Sequence, residues 1–361
     1  MRSIFWYLKN NKNKTFDELP FNEIDSLILC QISYMNLDKF VYDEFVLFND
    51  LFILENIDRL VYKTVLSKKN RKLAKALIGN IRYKDIRLNH CRAISCHEEI
   101  KQFFAVSYFI NDYIYVAYRG TDYSFYAWHE DFMMAYIKEI PSQKEAINYL
   151  SFIYEKYKMK MIVGGHSKGG NLALYSSIYS SEELSDNIIR IYNYDGPGFN
   201  NPDIYLNNNY LKLKDRITSL SVKFSVVGLM LHHEEGLEFL QSSSLGLLSH
   251  DAYSWSVLNN EFFKRVETNS LGSKIISKAL KIYILESNNE DIKRFIEILF
   301  ILAKENPNSS VLDLYNMPIN YLIGVFKRLK KLDSDDSSFY KGELLKIMRI
   351  INKVRKEKLY L

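Results

Sequence analysis

Cysteine, long apolar runs and an excess of one charge are all scarce in this sequence. The three cysteines, Cys30, Cys91 and Cys96, are too few and too irregularly spaced for a disulfide framework, which favours a reducing compartment. No apolar run approaches the ~18 residues that a membrane-spanning helix needs. The 48 basic and 43 acidic side chains leave a formal net charge of +5, an imbalance too small to indicate a dedicated nucleic-acid-binding protein.

The amino end also lacks the features of a secretion leader. In "MRSIFWYLKNNKNK" the apolar stretch is shorter than a signal-peptide core, and no small-residue cleavage site follows it. We therefore expect a cytoplasmic protein. The array "HCRAISCH" at residues 90–97 contains metal-ligand residue types, but adjacent ligands would point to opposite faces of a strand. We expect no metal there and no cofactor.

The remaining composition is that of a folded protein: 361 residues with 47% hydrophobic content can bury a sizeable core. We expect a helical N-terminal segment over residues 1–98 that packs on the core, an α/β core over 99–258 and a helical C-terminal region over 259–361. In the core, "QFFAVSYFI" and "YIYVAYRG" predict a hairpin, and later strands alternate with helices. This alternation predicts a mostly parallel sheet. We interpret "LDSDDSSFYKGE" as an acidic linker.

One short stretch, "VGGHSKGGNLAL", carries the clearest chemical signal. It places Ser167 in the pattern G-x-S-x-G, with Gly165, His166 and Gly169 around it, after a predicted strand and before a predicted helix. A serine exposed on so sharp a turn needs small flanking residues. The helix start also directs backbone N–H groups, that of Lys168 among them, at negative charge forming on a substrate. A phosphate-binding loop would need a different glycine spacing.

Two motif blocks resemble a known family. "VAYRGTD", followed by Trp128 and Asp131, and the serine turn are similar to the class 3, fungal-type lipase branch of the α/β-hydrolases. They resemble more closely a bacterial family of lipase-like domain proteins without secretion signals. The resemblance runs from about Asp25 to Val257. It implies an α/β-hydrolase core with an oxyanion hole, in which Thr121 supplies one donor and the Lys168 amide the second.

A serine nucleophile also needs a base, because a hydroxyl at its ordinary pKa is weakly nucleophilic. In this fold class the base is a histidine that follows the serine in the chain. His232, His233 and His250 do so. We favour His250 in "GLLSHDAYSW", which lies beyond the last core strand, and keep His232 and His233 as alternatives.

The acid is where the sequence departs from the class 3 pattern. Those lipases place an aspartate after the strand that corresponds to "SLSVKF", and this chain has no carboxylate there. Asp195 in "IYNYDGPGF" is the substitute that we expect, since it ends the preceding strand at a glycine and proline turn. Asp203, Asp215 and Asp251 are weaker candidates.

These features predict a serine carboxylic ester hydrolase of the lipase or esterase type, acting on lipid-like or other acyl esters through an acyl-enzyme. The alternative is a hydrolase-fold protein with impaired catalysis that serves as a binding or scaffolding module. The last helix, in "GELLKIMRIINKVRKEK", is amphipathic and basic, which predicts either peripheral membrane contact or docking on the core. We expect no nucleic-acid partner.

Overall fold

A mixed sheet of nine strands forms the centre of the part of the chain that the structure describes. The structure is a computed structural model that describes residues 2–42, 44–122, 124–304, 328–329 and 332–358. The strands are β1 (Val46–Leu47), β2 (Arg87–Cys96), β3 (Lys101–Ile110), β4 (Tyr113–Tyr118), β5 (Lys160–His166), β6 (Ile188–Tyr194), β7 (Ile217–Val222), β8 (Glu238–Leu240) and β9 (Arg265–Val266). They lie side by side in chain order. Strands β4 to β8 are parallel, and the strands at both edges are antiparallel.

Helices cover both faces of this sheet. Those described are α1 (Ile4–Asn11), α2 (Glu23–Ile32), α3 (Phe48–Leu51), α4 (Leu54–Val61), α5 (Ser67–Leu77), α6 (Phe125–Met133), α7 (Pro141–Tyr157), α8 (Lys168–Ile178), α9 (Glu182–Asn187), α10 (Asn208–Leu213), α11 (Leu271–Glu286), α12 (Asn289–Lys304) and α13 (Ser334–Lys358). The predicted α/β class is therefore confirmed.

Two apolar layers form because side chains alternate between the faces of each strand. On one face, Tyr115 of β4 and Tyr194 of β6 pack with α1, α2 and α5. On the other face, Val116 and Tyr118 of β4 pack with α7 and α8. The sheet is thus buried on both sides, as parallel sheets generally are.

The predicted hairpin is present, and two helices begin at residues that favour a helix start. Strands β3 and β4 pair in antiparallel register around Asn111, which has a positive φ of 47°. Pro141 is the first residue of α7. The Asn22 side chain accepts hydrogen bonds from two amides of the first turn of α2, a capping arrangement that favours a helix start at this point.

The N-terminal segment is not helical throughout, contrary to our expectation. The chain of β2, Arg87–Cys96, pairs with β3 over most of its length. Without this neighbour β3 would be an edge strand with unpaired backbone groups. The supposed acidic linker is also wrong, because α13 begins at Ser334 and has Asp335 and Asp336 in its first turn, where the helix dipole favours acidic side chains.

The C-terminal helix α13 docks on the rest of the chain. Ile350 and Val354 are buried against Ala279 and Tyr283 of α11. Its apolar stripe is therefore covered by protein, while membrane contact through its basic side chains stays a prediction. Part of the predicted C-terminal helical region, residues 305–327, lies outside the described residues. Among the helices that are described, none has the length and apolar character of a membrane span.

Candidate active site

Ser167 occupies a sharp turn between β5 and α8. Its backbone has φ 60° and ψ −133°, a conformation that costs a residue with a side chain about 1–3 kcal/mol and that persists only where the surroundings enforce it. Two backbone hydrogen bonds do so: the Ser167 amide donates to Tyr194 O at 2.9 Å, and the Gly170 amide donates to Ser167 O at 2.8 Å. The turn therefore holds the serine between the two elements.

The glycines on either side of the serine are required by close backbone approach. A Cβ atom on Gly165 would lie 2.1 Å from the carbonyl carbon and oxygen of Gly169, and one on Gly169 would lie 2.2 Å from Tyr118 O. Both distances are far below van der Waals contact, and the opposing atoms are backbone atoms that cannot move aside. The packing thus explains why the turn needs small residues at both positions.

Asp195 and His250 are hydrogen-bonded to each other. Nδ1 of His250 donates to Oδ2 of Asp195 at 2.6 Å, while the Ser221 hydroxyl and the Val222 amide donate to Oδ1 at 2.6 and 3.3 Å. The Asp195 side chain is fully buried. Burial works against ionisation of this carboxyl, but the bond and charge of His250 and the Ser221 hydroxyl outweigh it and hold the pKa of Asp195 below its usual value.

One cavity of about 370 Å³ brings the candidate residues together. Ser167, His250, Thr121 and Lys168 all line it. Much of the remaining wall is apolar and is formed by Tyr34, Val65, Leu66, Trp128, Phe132, Met134, Ala135, Pro197, Val227, Met230, Leu231, Leu248 and Ala252. Such a volume and lining are typical of a pocket for a small organic molecule with an apolar part.

His166 contacts the His250 side of the site. The two imidazole rings stack with centroids 4.7 Å apart. Nε2 of His166 donates to His250 O at 2.9 Å, and its Nδ1 accepts from the Tyr34 hydroxyl at 3.1 Å. Burial, together with the charge of His250, lowers the pKa of His166 to about 3. The sequence assigned His166 only to the serine turn, and its contact with Tyr34 joins residues that are 132 positions apart.

Lys168 has a role that the sequence did not reveal. Its side chain is fully buried, and its ammonium donates to Glu130 Oε2 at 2.8 Å and to Gln102 O at 2.9 Å. Burial disfavours this charge, but the Glu130 and Asp131 carboxylates outweigh burial and raise the pKa of Lys168. The side chain thereby ties the start of α8 to α6 and β3. Its backbone amide remains the group that we expect to donate a hydrogen bond to the oxyanion.

Thr121 and Asp131 form the neighbouring wall. The Thr121 hydroxyl donates to Asp131 Oδ2, and Asp131 Oδ1 lies 3.6 Å from the Lys168 ammonium. Burial raises the pKa of Asp131 to about 6, against the opposing effects of Lys168 and the Thr121 hydroxyl. Thr121, Trp128 and Asp131, which belong to the first of the two motif blocks behind the resemblance, therefore all line the cavity.

The alternative bases lie elsewhere. His233 uses both ring nitrogens, one with Glu235 at 2.7 Å and the other with Met230 O at 3.0 Å. The His232 side chain is partly exposed and contacts Glu234. Neither histidine lines the cavity that contains Ser167, so the structure does not bring them to the serine.

The weaker acid candidates do not contact His250 through their carboxylates. Asp251 forms an ion pair with Lys69, and its side chain also caps the turn at Tyr253. Asp203 and Asp215 are not part of the cavity wall. Within the described part of the chain, no three His, Cys, Asp or Glu side chains are grouped so that they could hold a metal ion.

Fold and site together define an α/β protein in which a serine at a strand-to-helix turn and a histidine bonded to a buried aspartate line one largely apolar cavity. More specifically, the chain belongs to the Mbeg1-like family, whose model matches residues 77–301. That range contains both motif blocks and the residues from Ser167 to His250.

Comparisons with other proteins add distant likenesses. The Rhizomucor miehei lipase propeptide complex in its native form is 15% identical, with a TM-score of 0.31, over 46% of this chain and 68% of that one. A deletion mutant of the same complex is 16% identical, with a TM-score of 0.33, over 50% and 68%. Comparison with curated proteins gave no match.

Proposed function

We propose that this protein is a serine carboxylic ester hydrolase with an α/β-hydrolase core. The observation that carries the proposal is that Ser167 and His250 line one cavity. The Nδ1 atom of His250 is bonded to the buried Asp195 carboxylate at 2.6 Å. The strained backbone of Ser167 supports it, since strain of this kind is concentrated at functional sites. Membership of the Mbeg1-like family, together with the lipase-like motifs of this sequence, supports the proposed reaction class.

The proposed reaction begins with attack of the Ser167 hydroxyl oxygen on the acyl carbonyl. Nε2 of His250 removes the hydroxyl proton as the new C–O bond forms, and Asp195 holds the ring in the required tautomer and stabilises its positive charge. The same proton then passes to the leaving oxygen, whose bond to the acyl carbon breaks. Water repeats the sequence on the acyl-enzyme and releases the acid, so each cycle converts one ester and one water molecule into an alcohol and an acid.

The oxyanion formed in each step would lie between Thr121 and the start of α8. The Thr121 and Lys168 amides are the proposed donors, and the N-terminal end of α8 adds its dipole. The Thr121 hydroxyl is already donated to Asp131. While Asp131 accepts this hydrogen bond, the hydroxyl orients Thr121. The backbone amides then supply the hydrogen bonds to the oxyanion.

The apolar wall of the cavity supports a substrate with an acyl chain. Trp128, Phe132, Met230 and Leu231 would surround an acyl chain, because burial of its methylenes in such a wall is favourable by about 0.8 kcal/mol each. Esters of short to medium aliphatic acids are therefore the substrates that we propose.

The experiment is hydrolysis of p-nitrophenyl butyrate and octanoate by the wild type and by Ser167→Ala. We expect release of p-nitrophenol that follows enzyme concentration and is lost in the variant. Folded wild-type protein without activity on either ester would favour the binding or scaffolding alternative. Ser176→Ala is the matched control, since Ser176 is a buried serine in α8, the helix that follows the turn.

A further inference from the structure

The cavity wall beside His250 includes the start of a basic helix. Helix α5 buries one side, through Asn70, Leu73, Ala74 and Leu77. Its exposed residues include Lys68, Lys69, Arg71, Lys72 and Lys75. The helix, SKKNRKLAKAL, contains no acidic residue, so its outer face carries positive charge alone.

This helix is fixed to the segment that carries the base. Leu66, Lys69 and Asn70 line the cavity. The Lys69 ammonium pairs with Asp251, the residue after His250, and the Tyr253 hydroxyl donates to the Asn70 side chain at 2.7 Å. The basic face therefore begins next to His250.

The chemistry of acyl transfer decides which part of a substrate meets this wall. This assignment of the leaving group to one side of the cavity rests on the proposed function. A base that returns its proton to the leaving oxygen must contact that oxygen, so the leaving group lies on the His250 side of Ser167. The part of the cavity wall that Trp128 and Phe132 form is apolar and suits the acyl chain. The leaving group is thus the part that lies beside α5.

The charge on this face is only partly neutralised. Arg71 pairs with Asp58, and Lys69 with Asp251. The Lys72 ammonium lies 4.2 Å from the centroid of the Phe5 ring, a contact that leaves its charge in place. In the described ranges, Lys68 and Lys72 form no ion pair with a carboxylate within 4.0 Å, so both are available to an anionic group.

We propose that the outer face of α5 binds a phosphate group on the alcohol or thiol side of the substrate. The preferred substrates are then acyl esters or thioesters whose leaving group is anionic. Cleavage places the acyl group on Ser167 and releases the phosphate-bearing alcohol or thiol with the proton from His250. Phosphates of this kind occur on soluble acyl carriers and on lipid headgroups, and in both the phosphate belongs to the substrate molecule.

The test compares monobutyrin with 1-butyryl glycerol 3-phosphate, two soluble esters that differ only in the phosphate. We expect the wild type to prefer the phosphate ester by about tenfold in kcat/KM at low salt, and the preference to fall towards one in 0.5 M NaCl. The variant Lys68→Glu/Lys72→Glu is expected to lose the preference. Lys353→Glu/Lys356→Glu, an equal charge change on α13, is the control and is expected to keep it.

Each result has one reading. Hydrolysis of both esters at equal kcat/KM, without salt dependence, overturns this inference and leaves the proposed function standing. Hydrolysis of neither ester overturns both. A third arm measures cosedimentation with phosphatidylglycerol vesicles: binding that the α5 variant loses, combined with equal use of the two soluble esters, overturns the inference in favour of contact with a bilayer. The salt dependence of the wild type does not depend on the folding of any variant.

Discussion

The imidazole ring of His166 stacks on that of His250, with an angle of 30° between the ring planes. His166 also donates to the His250 carbonyl at 2.9 Å, so it contacts both the side chain and the backbone of the proposed base. With a pKa lowered to about 3, His166 is neutral at physiological pH. A neutral ring here leaves the positive charge that forms during the reaction to His250 alone.

Replacing His166 by Phe tests this positioning. The aromatic ring is retained, but the bond to His250 O and the bond from the Tyr34 hydroxyl are lost. We expect kcat to fall about tenfold with a smaller change in KM, because the lost hydrogen bond holds the backbone of the proposed base His250. We expect the free energy of unfolding to fall by about 1–3 kcal/mol, because the buried Tyr34 hydroxyl loses its partner. Tyr34→Phe, which removes the hydroxyl itself, separates the two losses. A change confined to KM contradicts the positioning role.

Asp195→Asn removes the charge that orients and stabilises His250. The geometry is conserved, but the imidazole loses the tautomer and the countercharge that it needs, and comparable changes cost about 10⁴ in kcat. We expect kcat on p-nitrophenyl butyrate to fall by about 10³ or more. Asp215→Asn is the matched control, because Asp215 does not line the cavity, and it is expected to keep wild-type activity. Similar kcat values for the two variants would exclude Asp195 as the acid.

Lys168→Met tests the buried ion pair at the start of α8. Methionine fills much of the same volume but leaves the Glu130 carboxylate buried without its cation, and loss of one partner of a buried pair costs about 3–5 kcal/mol. Urea unfolding is expected to show a loss of this size. The double variant Lys168→Met/Glu130→Gln should recover part of it, since the Glu130 charge is then removed together with its partner. Strict additivity of the two single changes contradicts the coupling.

The raised pKa of Asp131 predicts a pH dependence of stability. The carboxyl has a pKa of about 6 when folded, against an ordinary value of 3.8, so the folded protein binds this proton more tightly than the unfolded chain. The contribution of Asp131 to the free energy of unfolding is therefore largest below about pH 4. It decreases by about 3 kcal/mol as the pH rises to about 6. Asp131→Asn resembles the protonated form. We expect it to stabilise the protein at pH 7.5 and to have little effect at pH 4, as measured by urea unfolding at both pH values. An equal effect at the two pH values contradicts the assignment.

The sequence predicted the parts of the site that depend on local chain geometry. The strand-to-helix turn at Ser167 follows from the glycine spacing and from the change of hydrophobic period around it. The end of β6 at Asp195 follows from its turn residues. Chain order then reduced the histidines to three, and the position of His250 beyond the last core strand favoured it. It could not exclude His232 and His233, because that exclusion depends on how distant loops pack.

The side chains that surround these residues could not be predicted in the same way. The pairs Lys168–Glu130 and His166–Tyr34 join residues that are 38 and 132 positions apart, and no local pattern links them. The sequence also led us to place residues 87–96 in the helical N-terminal segment. Buried and exposed residues alternate regularly along only part of this strand, so the pattern predicts a strand only weakly. We interpreted the acidic residues at the start of α13 as a linker because helix starts and linkers are both rich in aspartate and serine.

The most direct test of the central claim is covalent labelling of Ser167 by a fluorophosphonate probe. This reagent reacts with serines that are activated by a base and an oxyanion hole. We predict one phosphonyl group per protein molecule, located on Ser167 by mass spectrometry, with labelling abolished in Ser167→Ala and strongly slowed in His250→Ala. Folded wild-type protein that stays unlabelled, or a label that persists in Ser167→Ala, would contradict the proposed chemistry.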